Sequence, residues 1–169
     1  MINRRLFEHY GIDTDKDLKI DRVCARPYDT VLIDKMGSCY ACECTAWLPQ
    51  SIGNLQVREL ADIIGSDTHR HLQSSVADGT YRYCNAAQCS YIRGVIHKRA
   101  GSHIRHLRLG IDDSCNLRCP SCRDRLIFHK EGSAHRLGIR LADRVLDWLQ
   151  GVEHDIQVHL GSDGDPFAS

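Results

Sequence analysis

The chain has 169 residues, with 22 basic and 22 acidic side chains and no formal net charge at pH 7. That balance gives no electrostatic argument for a nucleic-acid or anionic-membrane partner, and no apolar run approaches the roughly 20 residues of a membrane span. Nine cysteines, behind an N-terminus without the apolar core of a signal peptide, point to a cytoplasmic protein whose thiols serve metal or catalysis rather than disulfides. In chain order, Leu18 to Val23 and Thr30 to Asp34 read as short strands. Lys35 to Ser38 reads as a turn that returns through Cys39 to Cys44. Ser51 to Asn54 marks another turn. Val57 to Ile64 has helical periodicity, and His69 to Val76 continues as a second helix. Ser102 to Ile111 reads as a strand, because Leu107, Leu109 and Ile111 alternate with Arg108 and Gly110. Ile139 to Gln150 is an amphipathic helix with Leu141, Ala142, Val145, Leu146 and Leu149 on its apolar face. Asp155 to Leu160 is a further strand. Lys98 to His103 is the expected joint, giving two parts, 1–100 and 101–169.

The most informative feature is the loop after the strand at 102–111. It carries Cys115, Cys119 and Cys122, with three residues inside the first pair and two inside the second. A short loop of this kind turns three thiolates toward one inorganic centre. A structural zinc or an electron-transfer cluster takes four protein ligands, so three thiolates leave one position open. The residues alone also permit a zinc site with His129 as the fourth ligand, or three unrelated thiols. Cys24, Cys39, Cys42, Cys44, Cys84 and Cys89 form a second constellation, which as residues suits a four-cysteine zinc site or an iron–sulfur cluster. The histidine pairs His69/His71 and His103/His106 lack the zinc-protease pattern and read as surface or packing residues. Trp47 and Trp148 read as core.

The Cys115–Cys119–Cys122 spacing, set between a strand and a helix–strand pair, resembles the signature of the radical S-adenosylmethionine (radical SAM) enzymes. The resemblance implies a SAM-binding 4Fe–4S cluster held by those three cysteines, with its open iron chelated by the amino and carboxylate groups of SAM. Strand, loop, helix and strand then correspond to the first β–α–β unit of a radical SAM barrel. The family's glycine-rich segment at the end of strand two, which binds the SAM amino group, matches Asp163, Gly164, Asp165 and Pro166. Asp163 stands in place of a glycine and Asp165 in place of the usual glutamate. Asn116 and Pro120 shape the loop, and Arg118 or Arg123 lies near an anionic cluster. Ser121 replaces the aromatic residue that contacts adenine in the family, which puts that contact in doubt.

The N-terminal part resembles the SPASM-type domain that accompanies many such enzymes. The resemblance rests on Gly37 to Cys44, Trp47 to Pro49, Ile52 to Leu55, and Asp78 to Asn85 with Cys89. It implies one auxiliary 4Fe–4S cluster on Cys24, Cys44, Cys84 and Cys89, with Cys42 in reserve and Cys39 spare. Here the SPASM-like part precedes the radical SAM motif, the reverse of the usual order. The implied fold is therefore an α+β SPASM-like metal-binding domain followed by the first β–α–β unit of a partial (β/α) radical SAM barrel. A full eightfold barrel takes about 250 residues, so the chain reads as a truncated fragment, inactive alone. The implied chemistry of a full-length relative is reductive cleavage of SAM to a 5′-deoxyadenosyl radical that abstracts hydrogen from an unknown substrate. A peptide or protein substrate and an electron donor are the implied partners, with no nucleic acid and no membrane. The alternative is a non-catalytic zinc- or cluster-binding structural module.

Overall fold

A computed structural model describes residues 24–43, 50–85, 89, 103–122, 125–161, 164, 165 and 168. Among them run α1 (Arg26–Asp29), β1 (Thr30–Asp34), β2 (Ser38–Tyr40), β3 (Gly53–Asn54), α2 (Leu60–Ile64), α3 (Asp67–Ala77), β4 (His106–Gly110), α4 (Gly132–Gln150) and β5 (Gln157–Leu160). The strand expected at 18–23 lies outside the described residues. None of the described helices is long and apolar enough to cross a membrane.

The five strands form one mixed sheet in the order β3-β2-β1-β4-β5. β1 and β2 are an antiparallel hairpin with Ile33 opposite Cys39. Its turn is fixed by Asp34, whose Oδ1 accepts the backbone N–H groups of Met36 and Ser38 at 2.9 and 2.8 Å. Gly37 occupies the turn at φ +76°, and a Cβ there would meet Leu141 Cδ2 at 2.9 Å. Glycine is therefore required twice over, by conformation and by space. The segment expected to turn at 51–54 instead places Gly53 and Asn54 in β3, paired with Cys39 and Ser38. The chain turns afterwards, where Val57 and Arg58 donate to the Asn54 carbonyl at 3.2 Å. The side chain of Ile63 packs directly over Gly53, so tertiary packing holds the Ile-Gly-Asn segment extended.

β4 pairs parallel with β1 on one side and with β5 on the other. The helix expected at 139–150 is longer, starting at Gly132, and forms the crossover from β4 to β5. The joint expected at 98–103 falls largely outside the described residues, while the sheet and its core span both sides of it. Register explains the core. Val31, Leu107 and Val158 lie in one row, and Ile33, Leu109 and Leu160 in the next, all on one face of the sheet. Val31, Ile33, Leu107 and Leu109 are buried with Leu60, Ile63 and Leu72 from α2 and α3 and with Leu141 and Val145 from α4. Val158 and Leu160 continue that face onto the edge strand, where they are 42% and 58% exposed. α3 is capped by Ser66, whose Oγ accepts the His69 N–H at 3.2 Å.

Candidate metal centres

The three-cysteine loop leaves the C-terminal end of β4. Its root is held from four directions. The Ser114 N–H donates to Asp112 Oδ1 at 2.8 Å, and the buried Ser114 hydroxyl oxygen accepts the His129 N–H at 2.9 Å. Cys115 pairs with Ile127 as an isolated bridge, its N–H donating to the Ile127 carbonyl at 2.8 Å. Asp113 receives Lys35 Nζ at 2.5 Å and His129 Nε2 at 2.7 Å. Burial opposes ionisation of Asp113, but the hydrogen bonds from Lys35 and His129 outweigh it and hold its carboxyl below the ordinary carboxylate range.

Cys115 is buried, and Cys119 and Cys122 are exposed on one turn closed by the Cys122 N–H on the Cys119 carbonyl at 3.0 Å. The Leu117 N–H points at Cys115 Sγ at 3.4 Å. That contact orients the Cys115 side chain on the loop. Thiolates are ligands that soft metals take, but Cys115, Cys119 and Cys122 do not bring three ligand atoms within 4.8 Å of one another, as Asp112, Asp113 and His129 do. Asn116 and Pro120 are exposed on this loop.

Of the expected SAM-binding segment, Asp163 and Pro166 lie outside the described residues; Gly164 and Asp165 lie against the cysteine loop. The Asp165 N–H donates to the Ser114 carbonyl at 2.9 Å. A Cβ on Gly164 would collide with that carbonyl oxygen and lie 2.9 Å from the Asp113 carbonyl carbon. The end of β5 and the root of the loop are thus packed backbone to backbone, as only glycine permits.

Asp112, Asp113 and His129 have ligand atoms all within 4.8 Å of one another. The cation at Asp113 is the Lys35 ammonium, and the trio reads as the anchor of the loop. His129, considered in the sequence as a fourth zinc ligand, serves that anchor through Nε2. A cleft of about 250 Å3 lies beside it, between α4 and the ends of β4 and β5. Leu109, Ile111, Asp112, His135, Ile139 and Leu160 are among its walls.

A second group of cysteines lies toward the opposite end of β1. Burial pushes the Cys24 thiol up to about 12, and the neighbouring thiols of Cys42 and Cys89 add to the effect. Cys84 is likewise pushed up to about 12, by burial first and then by Cys89, Cys42 and Cys24. No three of these four thiols have their sulfurs within 4.8 Å of one another. The hairpin explains how Cys42 arrives: two residues beyond Tyr40, which faces Leu32, it returns to the start of β1. Cys44, the ligand carried over from the resemblance, lies outside the described residues; the reserve Cys42 is electrostatically coupled to Cys24 and Cys84. Cys39 is in the core instead, opposite Ile33.

Two further residues pack around this group; His69 is one of those read in the sequence as surface or packing residues. Tyr81, at φ +45°, accepts the Cys84 N–H on its carbonyl at 2.9 Å. Its hydroxyl is raised by burial and by the nearby thiols. His69 is fully buried, with Nε2 at 2.6 Å from the Pro27 carbonyl and Nδ1 against the Ile64 carbonyl. It ties the segment after Cys24 to α3. The Asp78-Gly79 turn was a visible signal for Tyr81; His69 carried none beyond its place on an apolar helix face.

The chain has no match among protein-family models, curated proteins or solved structures.

Proposed function

We propose that the chain is an iron–sulfur protein of the radical SAM type. In this reading Cys115, Cys119 and Cys122 hold a 4Fe–4S cluster with one iron left for SAM, and Cys24, Cys42, Cys84 and Cys89 hold an auxiliary cluster. The observation that carries it is the meeting of the cysteine loop with Gly164 and Asp165. Two parallel strands joined by a helix deliver both segments to one edge of the sheet, and ligands of α/β sheets bind at the carboxyl ends of the strands. When bound, the cluster would supply the electron for reductive cleavage of SAM. The protein's own part is positional. Lys35, His129 and Ser114 fix the root of the loop, and Gly164 allows the β5 end to approach it. The finer reading includes a peptide or protein substrate, a separate electron donor and a cytoplasmic setting, which the free thiols suit.

A second reading is a structural metal module. It is favoured by the partial burial of Cys24 and Cys84, since a closed four-thiolate site needs no access and suits zinc as well as iron. An experiment on the open site separates the two. Protein reconstituted anaerobically and reduced should give a 4Fe–4S electron paramagnetic resonance signal whose g-values shift on adding SAM. A signal indifferent to SAM, or no cluster signal at all, contradicts the radical SAM reading.

A further inference from the structure

The core occupies one face of the sheet; the other face is polar where β4 and β5 meet. Arg108 and His159 are direct neighbours in the parallel register, and His106 precedes Arg108 by two residues on the same face. The His106 and His159 rings stand 6.2 Å apart between centroids, tilted by 36°. Arg108 is held in place. Its Nη1 contacts Glu43 Oε2 at 2.9 Å, and Glu43 Oε1 contacts Arg26 Nη1 at 3.1 Å. Arg26 Nη1 also donates to Thr30 Oγ1 at 3.2 Å, and the Thr30 hydroxyl donates to Asp29 Oδ1 at 2.7 Å.

This chain of contacts has two consequences. A single carboxylate, Glu43, serves both guanidiniums. The Arg108 guanidinium is also oriented before any ligand arrives, while its side chain keeps 34% of its surface exposed. Preorganised donors bind with less entropy lost than free ones. Among the described strand residues on this face, Asp34 has its oxygens engaged by the hairpin N–H groups and by the Tyr40 hydroxyl at 3.3 Å. A planar guanidinium fork beside two imidazoles matches an oxyanion, and each imidazole can donate an N–H even when neutral.

We propose that Arg108, His106 and His159 form a binding site for the carboxylate or phosphate group of a small acidic ligand on the polar face of the β4–β5 pair. The site is independent of the iron–sulfur reading and is tested without any cluster. The full chain is titrated at constant ionic strength with inorganic phosphate and, separately, with acetate, following the imidazole resonances of His106 and His159. Saturable shifts of both rings are expected with at least one anion. Phosphate alone indicates a phosphate-bearing ligand, and acetate alone a carboxylate. Arg108→Gln should weaken binding about tenfold, the scale of one lost charged hydrogen-bond donor. Arg108→Lys, which keeps the charge at Glu43 but loses the fork, should weaken it less. The exposed His159→Gln provides a variant that leaves the Glu43 pairing intact and should also weaken it. Shifts that fail to saturate for both anions, or that are unchanged in His159→Gln and Arg108→Lys, overturn the proposal.

Discussion

Cys39 sits in the core with its thiol aimed at the Gly37 carbonyl at 3.6 Å. Burial pushes the thiol up to about 12 and the Asp34 charge adds to it, partly offset by the Leu55 backbone N–H. An unfolded cysteine releases its proton near 8.5. The folded state therefore holds a proton that the unfolded state gives up. This contribution to stability is complete below about pH 8.5 and is lost as pH rises toward about 12. Over that window its slope approaches about 1.4 kcal/mol per pH unit. Cys39→Ala should flatten the alkaline limb of the stability profile, measured by urea unfolding between those limits. Equal slopes in the two proteins would count against a buried neutral thiol. The same residue shows the reach of sequence reading. Cys39 was set aside as spare because it fitted no ligand pattern, and its burial opposite Ile33 gives that a physical reason.

Among the elements, α4 sorts its apolar residues by what they touch. Leu141 is 1% exposed, in the core between β4 and the hairpin turn at Gly37. Leu146 is 56% exposed. Leu141→Ala should cost about 2–5 kcal/mol, the range for emptying a packed leucine site. Leu146→Ala should stay within about 0.5 kcal/mol. Thermal or denaturant unfolding checks both, and comparable losses at the two positions would mean that α4 packs by a different face. Periodicity in the sequence reached this helix and both of its flanking strands, since each has a face of fixed period to bury. It missed α1, a four-residue turn entered by Pro27, which is too short to show a period. It also missed the first two turns of α4, from Gly132 to Gly138.

At the scale of the whole molecule, the sequence reading separated 1–100 from 101–169, whereas β1 pairs with β4 and the two sides share one core. That pairing joins strands more than 70 residues apart. No local pattern encodes it; it follows from α2, α3 and α4 covering the same sheet face. The meeting of Gly164 with Ser114 was more accessible, because a β–α–β unit returns its second strand end beside the first. The two thiol groups consequently stand at opposite ends of the β1–β4 pair. Removal of one should leave the other intact, since changes at separated sites without shared partners are independent. The most direct measurement is the iron, sulfide and zinc content of anaerobically prepared protein, compared with the Cys115→Ala, Cys119→Ala, Cys122→Ala triple variant. The account predicts that the native protein carries two clusters' worth of iron and sulfide, and that the triple variant loses one cluster and retains the other. Iron content unchanged by the triple substitution, or stoichiometric zinc in place of iron and sulfide, would contradict it.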